Sequence, residues 1–181
     1  FTVGGFSWNP DSKSIGFTKQ PDPMINSFIH SDIAIVDIAT KKVTTLIANP
    51  SNDAIIGWSP DGKQFVYGSS LSDTLSQYYK NNKVLIYDMA TKKSREVAPE
   101  FDENKNVIEW NENGIYFNAS QKTKSGIFLI DPTTGSCKPV NTNLDNPWFA
   151  SFNKGATRWT FYGRNFDGLS EVFVSNADGS F

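Results

Sequence analysis

The chain has 181 residues, 38% hydrophobic and 14% aromatic, with a formal net charge of −2. That is ample material for one domain with a sizeable core, and it excludes a disordered polymer. Lysines and arginines are scattered instead of forming the basic stripe that a nucleic-acid surface needs, and no apolar run approaches the ~20 residues of a membrane-spanning helix.

The first predicted strands run from Val3 to Trp8 and from Ser14 to Thr18, with Asn9-Pro-Asp-Ser12 as the turn between them. Proline presets φ and aspartate can accept from its own backbone, so the segment reads as a β-hairpin. A long loop, residues 20–31, follows; it holds two prolines and the single histidine, and is a candidate contact loop. His30 within it has no second His or Cys beside it to build a metal site, and its ordinary reading is a loop or strand-edge residue. Two more strands, Asp32–Asp37 and Val43–Ile47, complete a four-stranded unit over about residues 1–49.

The plan then repeats. Ala54–Trp58, the turn Pro60-Asp61-Gly62 and the alternation around Phe65 and Tyr67 open a second unit over about residues 50–101. Its loop, residues 68–82, carries Tyr78 and Tyr79, which either wall a ligand or cap a hydrophobic edge. Gly68-Ser-Ser-Leu-Ser72 echoes a nucleophile elbow but fails at its last residue. Asp102-Glu-Asn-Lys-Asn106 starts like a calcium loop, yet Val107 and Asn113 stand where Gly and Glu are required.

A third unit, about residues 102–143, has its loop reduced to residues 119–125 and contains a formal glycosylation sequon, Asn118-Ala-Ser120. Cys137 is the only cysteine, so no internal disulfide exists. It reads as a residue of the fourth strand of this unit, with nothing nearby to lower its pKa. The fourth unit, about residues 144–181, ends before a fourth strand, and the chain opens on Phe1 without Met or a leader pattern; it reads as an excised piece. Arg164, in the loop 163–170, is either a solvated surface residue or a clamp for a carboxylate.

Two anchors fix the phase of the repeat. From Trp8 and Trp58 the apolar partners lie at +7 and +9 (Ile15 and Phe17; Phe65 and Tyr67); Phe152 gives Trp159 and Phe161 at the same offsets. From Trp110 the offsets shrink to +5 and +7 (Ile115, Phe117), as a turn two residues shorter requires if every side chain is to keep its face. The second anchor is an apolar run ending in Asp37, Asp88, Asp131 or Asn176, spaced 51, 43 and 45 residues apart (37 to 88, 88 to 131, 131 to 176). The three aspartates suit turns in which a carboxylate accepts backbone N–H groups. In the first three units an apolar residue falls nine positions on, at Leu46, Val97 and Val140. A spacing of roughly 40 to 50 residues is that of four-stranded propeller blades, and uninterrupted apolar third strands imply cover on both faces. The fold class expected is all-β, a β-propeller with four four-stranded blades.

WNPDSK at 8–13, WSPDGK at 58–63 and the paired segments IAIVDIATKK and VLIYDMATKK resemble the WD-like repeats of the prolyl oligopeptidase family of serine peptidases, acylaminoacyl-peptidase-like members included, and also those of the periplasmic Tol-system propeller. The likeness covers essentially the whole chain. It implies a ring of seven or eight blades and, in the peptidase family, a propeller that caps an α/β-hydrolase domain of the same parent chain and restricts entry to short peptides. The Ser-His-Asp triad of that family has no counterpart here, so no catalytic residue is assigned, and no cofactor or metal is expected. The double-glutamate motif by which dipeptidyl peptidases hold a substrate amino terminus is absent as well. The substrate contacts this reading offers are His30, Tyr78, Tyr79 and Arg164. The Tol-type alternative is a non-enzymatic module that engages protein partners. Cytoplasmic and periplasmic locations both stay open.

Overall fold

A computed structural model describes residues 1–71 and 80–176. Tyr78 and Tyr79 lie outside them. The described chain is β-structure apart from one 3₁₀ segment, Ile25–His30. The first sheet is β1 (Thr2–Trp8), β2 (Ser14–Gln20), β3 (Asp32–Asp37) and β4 (Val43–Ile47). The second is β5 (Asp53–Trp58), β6 (Gln64–Ser69), β7 (Lys83–Asp88) and β8 (Lys93–Glu96). The third is β9 (Asn106–Asn111), β10 (Gly114–Gln121), β11 (Lys124–Ile130) and β12 (Cys137–Pro139), and the fourth is β13 (Asn146–Phe152), β14 (Arg158–Arg164) and β15 (Glu171–Asn176). Every sheet is an antiparallel meander in chain order, four-stranded in the first three and three-stranded in the last among the described residues.

The repeat offsets are cross-strand partners. Trp8 faces Ile15, Trp58 faces Phe65, Trp110 faces Ile115 and Phe152 faces Trp159. The two-residue deletion in the Trp110 turn therefore leaves the pairing intact, as a period of two demands. Four residues beyond each anchor the backbone turns left-handed, at Ser12 (φ 59°), Gly62 (φ 69°), Gly114 (φ 130°) and Ala156 (φ 49°). In the first two hairpins the turn aspartate accepts a backbone N–H two residues on, Lys13 to Asp11 at 2.8 Å and Lys63 to Asp61 at 3.1 Å.

The second turn of each unit follows the same logic. Asp37 accepts from the N–H and hydroxyl of Thr40 at 2.7 Å each, Asp88 from those of Thr91 at 2.8 and 3.0 Å, and Asp131 from the N–H groups of Thr133 and Thr134. The left-handed residue again falls at +4, as Lys41 (φ 57°), Lys92 (φ 56°) and Gly135 (φ 78°). The aspartates are thus consumed by turn geometry, as Asx-turns consume them.

Three details depart from the sequence reading. Residues 119–125 are not a loop: β10 and β11 pair as far as Gln121 with Lys124, and only Lys122 and Thr123 turn. A bulge between Ile33 and Ala34 gives Ile33 the partner Ile47 and passes over Leu46, the apolar residue nine after Asp37, whereas Val97 and Val140 at the same offset donate to Val84 and Ile127 at 2.9 and 2.8 Å. Finally, burial on both faces of the third strand holds for Val84–Tyr87 in β7 but fails in β15, where Val172 and Val174 are 72% and 59% exposed.

The described chain forms two compact units, Phe1–Val97 and Ala98–Phe181. In the first unit, the face of sheet two bearing Trp58, Phe65, Tyr67, Leu85 and Tyr87 packs on the face of sheet one bearing Ile33, with Ile35 and Ile47 against them. Phe65 is wholly buried, stacked on Tyr87 at 4.9 Å and edge-on to Trp58 at 5.4 Å. In the second unit, Trp159 and Phe161 of sheet four pack on Tyr116 and Ile127 of sheet three. Asparagines link the first-hairpin turns of neighbouring sheets: Asn9 donates to the Gly62 carbonyl at 3.0 Å, and Asn113 to the Ala156 carbonyl at 2.9 Å.

Candidate functional site

Antiparallel meanders place both tight turns of a sheet at one end and the longer loops at the other, so each unit presents two chemically different ends. In the first unit the long-loop end carries His30, exposed at the close of the 3₁₀ segment. Its Nδ1 lies 3.1 Å from the Pro50 carbonyl, which fixes the proton on Nδ1 and leaves Nε2 as the remaining ring nitrogen. No hydroxyl or carboxylate bonds to this ring among the described residues, so the group is arranged as a surface contact, not as a base paired to a nucleophile.

Beneath that loop lies a polar cluster that sequence reasoning missed. Ser31, Ser51, Asp53 and Ser69 are all buried. The Ser31 hydroxyl donates to the Asn52 side-chain oxygen at 2.6 Å and reaches the Asp53 carbonyl at 3.1 Å, while the Asp53 N–H donates to the Ser31 carbonyl at 2.9 Å. Among the described residues neither carboxylate oxygen of Asp53 has a hydrogen-bond partner, and the residue is 0% exposed. Burial pushes its carboxyl above the usual range; the neighbouring Ser69 and Asn49 side chains pull the other way, and the charge of Asp32 adds to the rise. The only sequence signal was an acidic residue at the first position of an otherwise apolar strand.

In the second unit Arg164 ends β14, exposed, opposite Asn146. The loop after it is held by Asp145, which accepts from Lys124 Nζ at 3.1 Å and from the Phe166 N–H at 3.2 Å, with Lys124 Nζ also 5.0 Å above the Phe166 ring. The lysine contact holds the Asp145 carboxyl below its ordinary range. His30 and Arg164 belong to different units.

The tight-turn end of the second unit holds a cleft of about 540 Å³ between the Glu112-Asn113 turn and the Asp131–Lys138 segment. Cys137 lines it from β12, the strand expected from sequence. Burial raises the thiol's pKa, against a smaller lowering by Lys105. The sequon asparagine is engaged as well: Asn118 Nδ2 donates to the Gly126 and Pro147 carbonyls at 2.9 and 3.2 Å. Among the described residues no three of His, Cys, Asp and Glu are grouped to hold a metal ion, and no helix is long and apolar enough to cross a membrane.

Comparison with known proteins places these sheets in a wider setting. The chain is 28% identical over 143 residues, 76% of its length, to dipeptidyl-peptidase 5 of Porphyromonas gingivalis, of which it spans 21%. Acylaminoacyl peptidase of Pyrococcus horikoshii superposes over 96% of the chain with a TM-score of 0.72 and 14% identity, and TolB of Acinetobacter baumannii over 99% with a TM-score of 0.69 and 15% identity. The fold is a β-propeller. The resemblance to the prolyl oligopeptidase family drawn from the WD-like repeats stands with it. No family model matches the chain. It spans about a fifth of the curated relative, 26% of the acylaminoacyl peptidase and 42% of TolB. The relative carries a dipeptidyl-peptidase name, whereas this chain has no adjacent glutamates.

Proposed function

We propose that this chain is part of the propeller of a larger serine peptidase of the prolyl oligopeptidase type, where it narrows the route by which short peptides reach an α/β-hydrolase domain carried elsewhere in the parent. The observation that supports this reading is the 28% identity to dipeptidyl-peptidase 5 across 76% of the chain. The bond-breaking chemistry belongs to the other domain, since the one histidine here is occupied with a backbone carbonyl and, among the described residues, no serine is bonded to it. The chain's own task is steric and polar: stiff sheets set the width of the route, and exposed loop groups meet the peptide. His30, through Nε2, and Arg164, through a guanidinium suited to a carboxylate, are the contacts proposed within the described residues, with Tyr78 and Tyr79 beyond them. The four blades are taken as residues 1–49, 50–101, 102–143 and 144–181.

The intact parent protein tests the reading. A fluorophosphonate should label it at one serine, and its turnover of a graded peptide series should fall steeply as the peptides lengthen. Absence of an adduct would overturn the peptidase assignment, and equal turnover of short peptides and unfolded proteins would overturn the gating role. The superposition on TolB supports a second reading, a binding module without chemistry, which the same labelling separates from the first.

A further inference from the structure

Sheet three departs from the repeat at one point, and the departure opens a cleft. In sheets one and two the two tight turns are tied to each other through the backbone: the Ile38 N–H donates to the Lys13 carbonyl at 2.9 Å, and the Met89 N–H to the Lys63 carbonyl at 3.0 Å. Asn113 stands at the place of Lys13 and Lys63, two residues before Ile115 as they stand two before Ile15 and Phe65. Pro132 stands at the place of Ile38 and Met89, one residue after the turn aspartate. Proline has no N–H, so the tie cannot form. The turn that holds Asn113 is also two residues shorter than its counterparts, and between the two turns lies the cleft of about 540 Å³. All of its lining comes from sheet three and its turns, so the cleft is a property of that one sheet.

The two walls carry opposite charges. Glu112 lines the cleft from the first turn and Lys138 from β12, both exposed, and among the described residues neither forms an ion pair with the other or with a third group. Asp131, the remaining charged residue of the lining, spends one carboxylate oxygen on the N–H groups of Thr133 and Thr134. Leu129, the cross-strand partner of Lys138, adds apolar surface between these groups. The volume lies within the range of small-molecule sites. An unpaired carboxylate on one wall and an unpaired ammonium on the other suit a ligand that carries both charges, since each of its ends gains a charge-assisted hydrogen bond.

We propose that this cleft binds a free zwitterionic peptide of dipeptide size, its amino group at Glu112, its carboxylate at Lys138 and its side chain against Leu129. The site lies at the tight-turn end of its sheet, apart from His30 and Arg164, and does not rest on the peptidase reading.

Cys137 lines the same cleft and reports on its occupancy. In the intact parent protein, alkylation of this thiol by iodoacetamide is followed by mass spectrometry of the peptide that contains it, so that binding elsewhere in the parent is not mistaken for binding here. Alanyl-leucine should slow the alkylation saturably, and the same spectra check that the dipeptide stays intact. Its N-acetyl and its C-terminal amide derivatives should each need about tenfold more ligand or higher, because each loses one charge-assisted contact. Glu112→Gln should make the free and the acetylated peptide equal, and Lys138→Gln should make the free and the amidated peptide equal. Both positions are exposed, so neither change disturbs the core. Lys42→Gln, in the second turn of sheet one, should leave the protection as it was. No slowing at any concentration overturns the proposal. So does equal protection by free and blocked peptides, which would mean apolar contact alone, and so does a loss of protection in Lys42→Gln as large as in Lys138→Gln, which would mean a general ionic effect.

Discussion

The indole N–H of Trp58 donates to the carbonyl oxygen of Ser7, 51 residues earlier, at 3.2 Å. One side chain thereby fastens β5 of sheet two to β1 of sheet one while filling the gap left by Gly16. Replacing Trp58 by Phe removes the donor and part of the ring, and should lower stability by about 1–3 kcal/mol. Trp8→Phe, at an exposed copy of the same position, should change it by less than about 0.5 kcal/mol. Urea unfolding at low protein concentration gives both values, and equal effects would disprove the distinction.

Gly16 is required by that fit. A Cβ there would overlap Ile55 Cδ1 and crowd the Trp58 ring, so Gly16→Ala should cost about 1–3 kcal/mol through forced displacement of a packed core. Gly57, in the adjacent sheet, has nothing within 4 Å of such a Cβ, and Gly57→Ala should be close to neutral. Thermal unfolding of the pair would separate crowding from a general intolerance of side chains in these strands.

The left-handed residues at the second turns provide a third test. Lys41 and Lys92 sit at φ 57° and 56°, where a side chain is disfavoured, and Gly135 holds the equivalent place at φ 78°. Lys41→Gly or Lys92→Gly should raise stability by up to about 1 kcal/mol, the relief of strain outweighing the entropy that glycine adds to the unfolded chain. Gly135→Ala should lower it by a similar amount. Chemical denaturation that finds the lysine variants less stable would remove strain from the account.

Asp88 and Asp53 should give opposite pH dependences. The Asp88 carboxyl is lowered to about 2, chiefly by the Gln64 amide and then by the Thr91 N–H and hydroxyl. Its stabilising effect is present above the unfolded-state pKa of 3.8 and is lost as pH falls toward 2, so Asp88→Asn should flatten that part of the stability curve. The Asp53 carboxyl is raised instead. Its preference for the folded state is full below 3.8 and disappears as pH rises through the raised value, so Asp53→Asn should be the more stable chain at neutral pH and lose that advantage in acid. Stability measured against pH for both variants decides it; an Asp53→Asn chain that is less stable at pH 7 would show the charge to be stabilised by its surroundings.

The repeat was readable because its marks are local. An aromatic anchor, a turn with proline, aspartate and glycine, and an aspartate before a threonine each impose a backbone shape within a few residues, and the observed ladders put Trp58 opposite Phe65 and Trp110 opposite Ile115 as the spacing required. What could not be read depends on partners distant in sequence. The bulge between Ile33 and Ala34 leaves no mark in composition, and residues 119–125 are polar enough to pass for a loop although they are mostly strand. The burial of Asp53 is set by Ser31, just ahead of β3, and by Ser69 of β6, and the engagement of Asn118 by Pro147 from another sheet. Of the candidate contacts, the sequence put His30 and Arg164 in loops, whereas His30 closes a 3₁₀ segment and Arg164 ends β14, and it carried no information on the carbonyl that orients the imidazole.

The link from Asn113 to Ala156 bears on how this molecule ages. Asn113 precedes Gly114, the dipeptide step most prone to lose ammonia through a cyclic imide, and the amide nitrogen that would depart is the one bonded to the Ala156 carbonyl. Assembly of the third and fourth sheets thus shelters a chemical weak point, and protein stored partly unfolded would return with an acid where it had an amide.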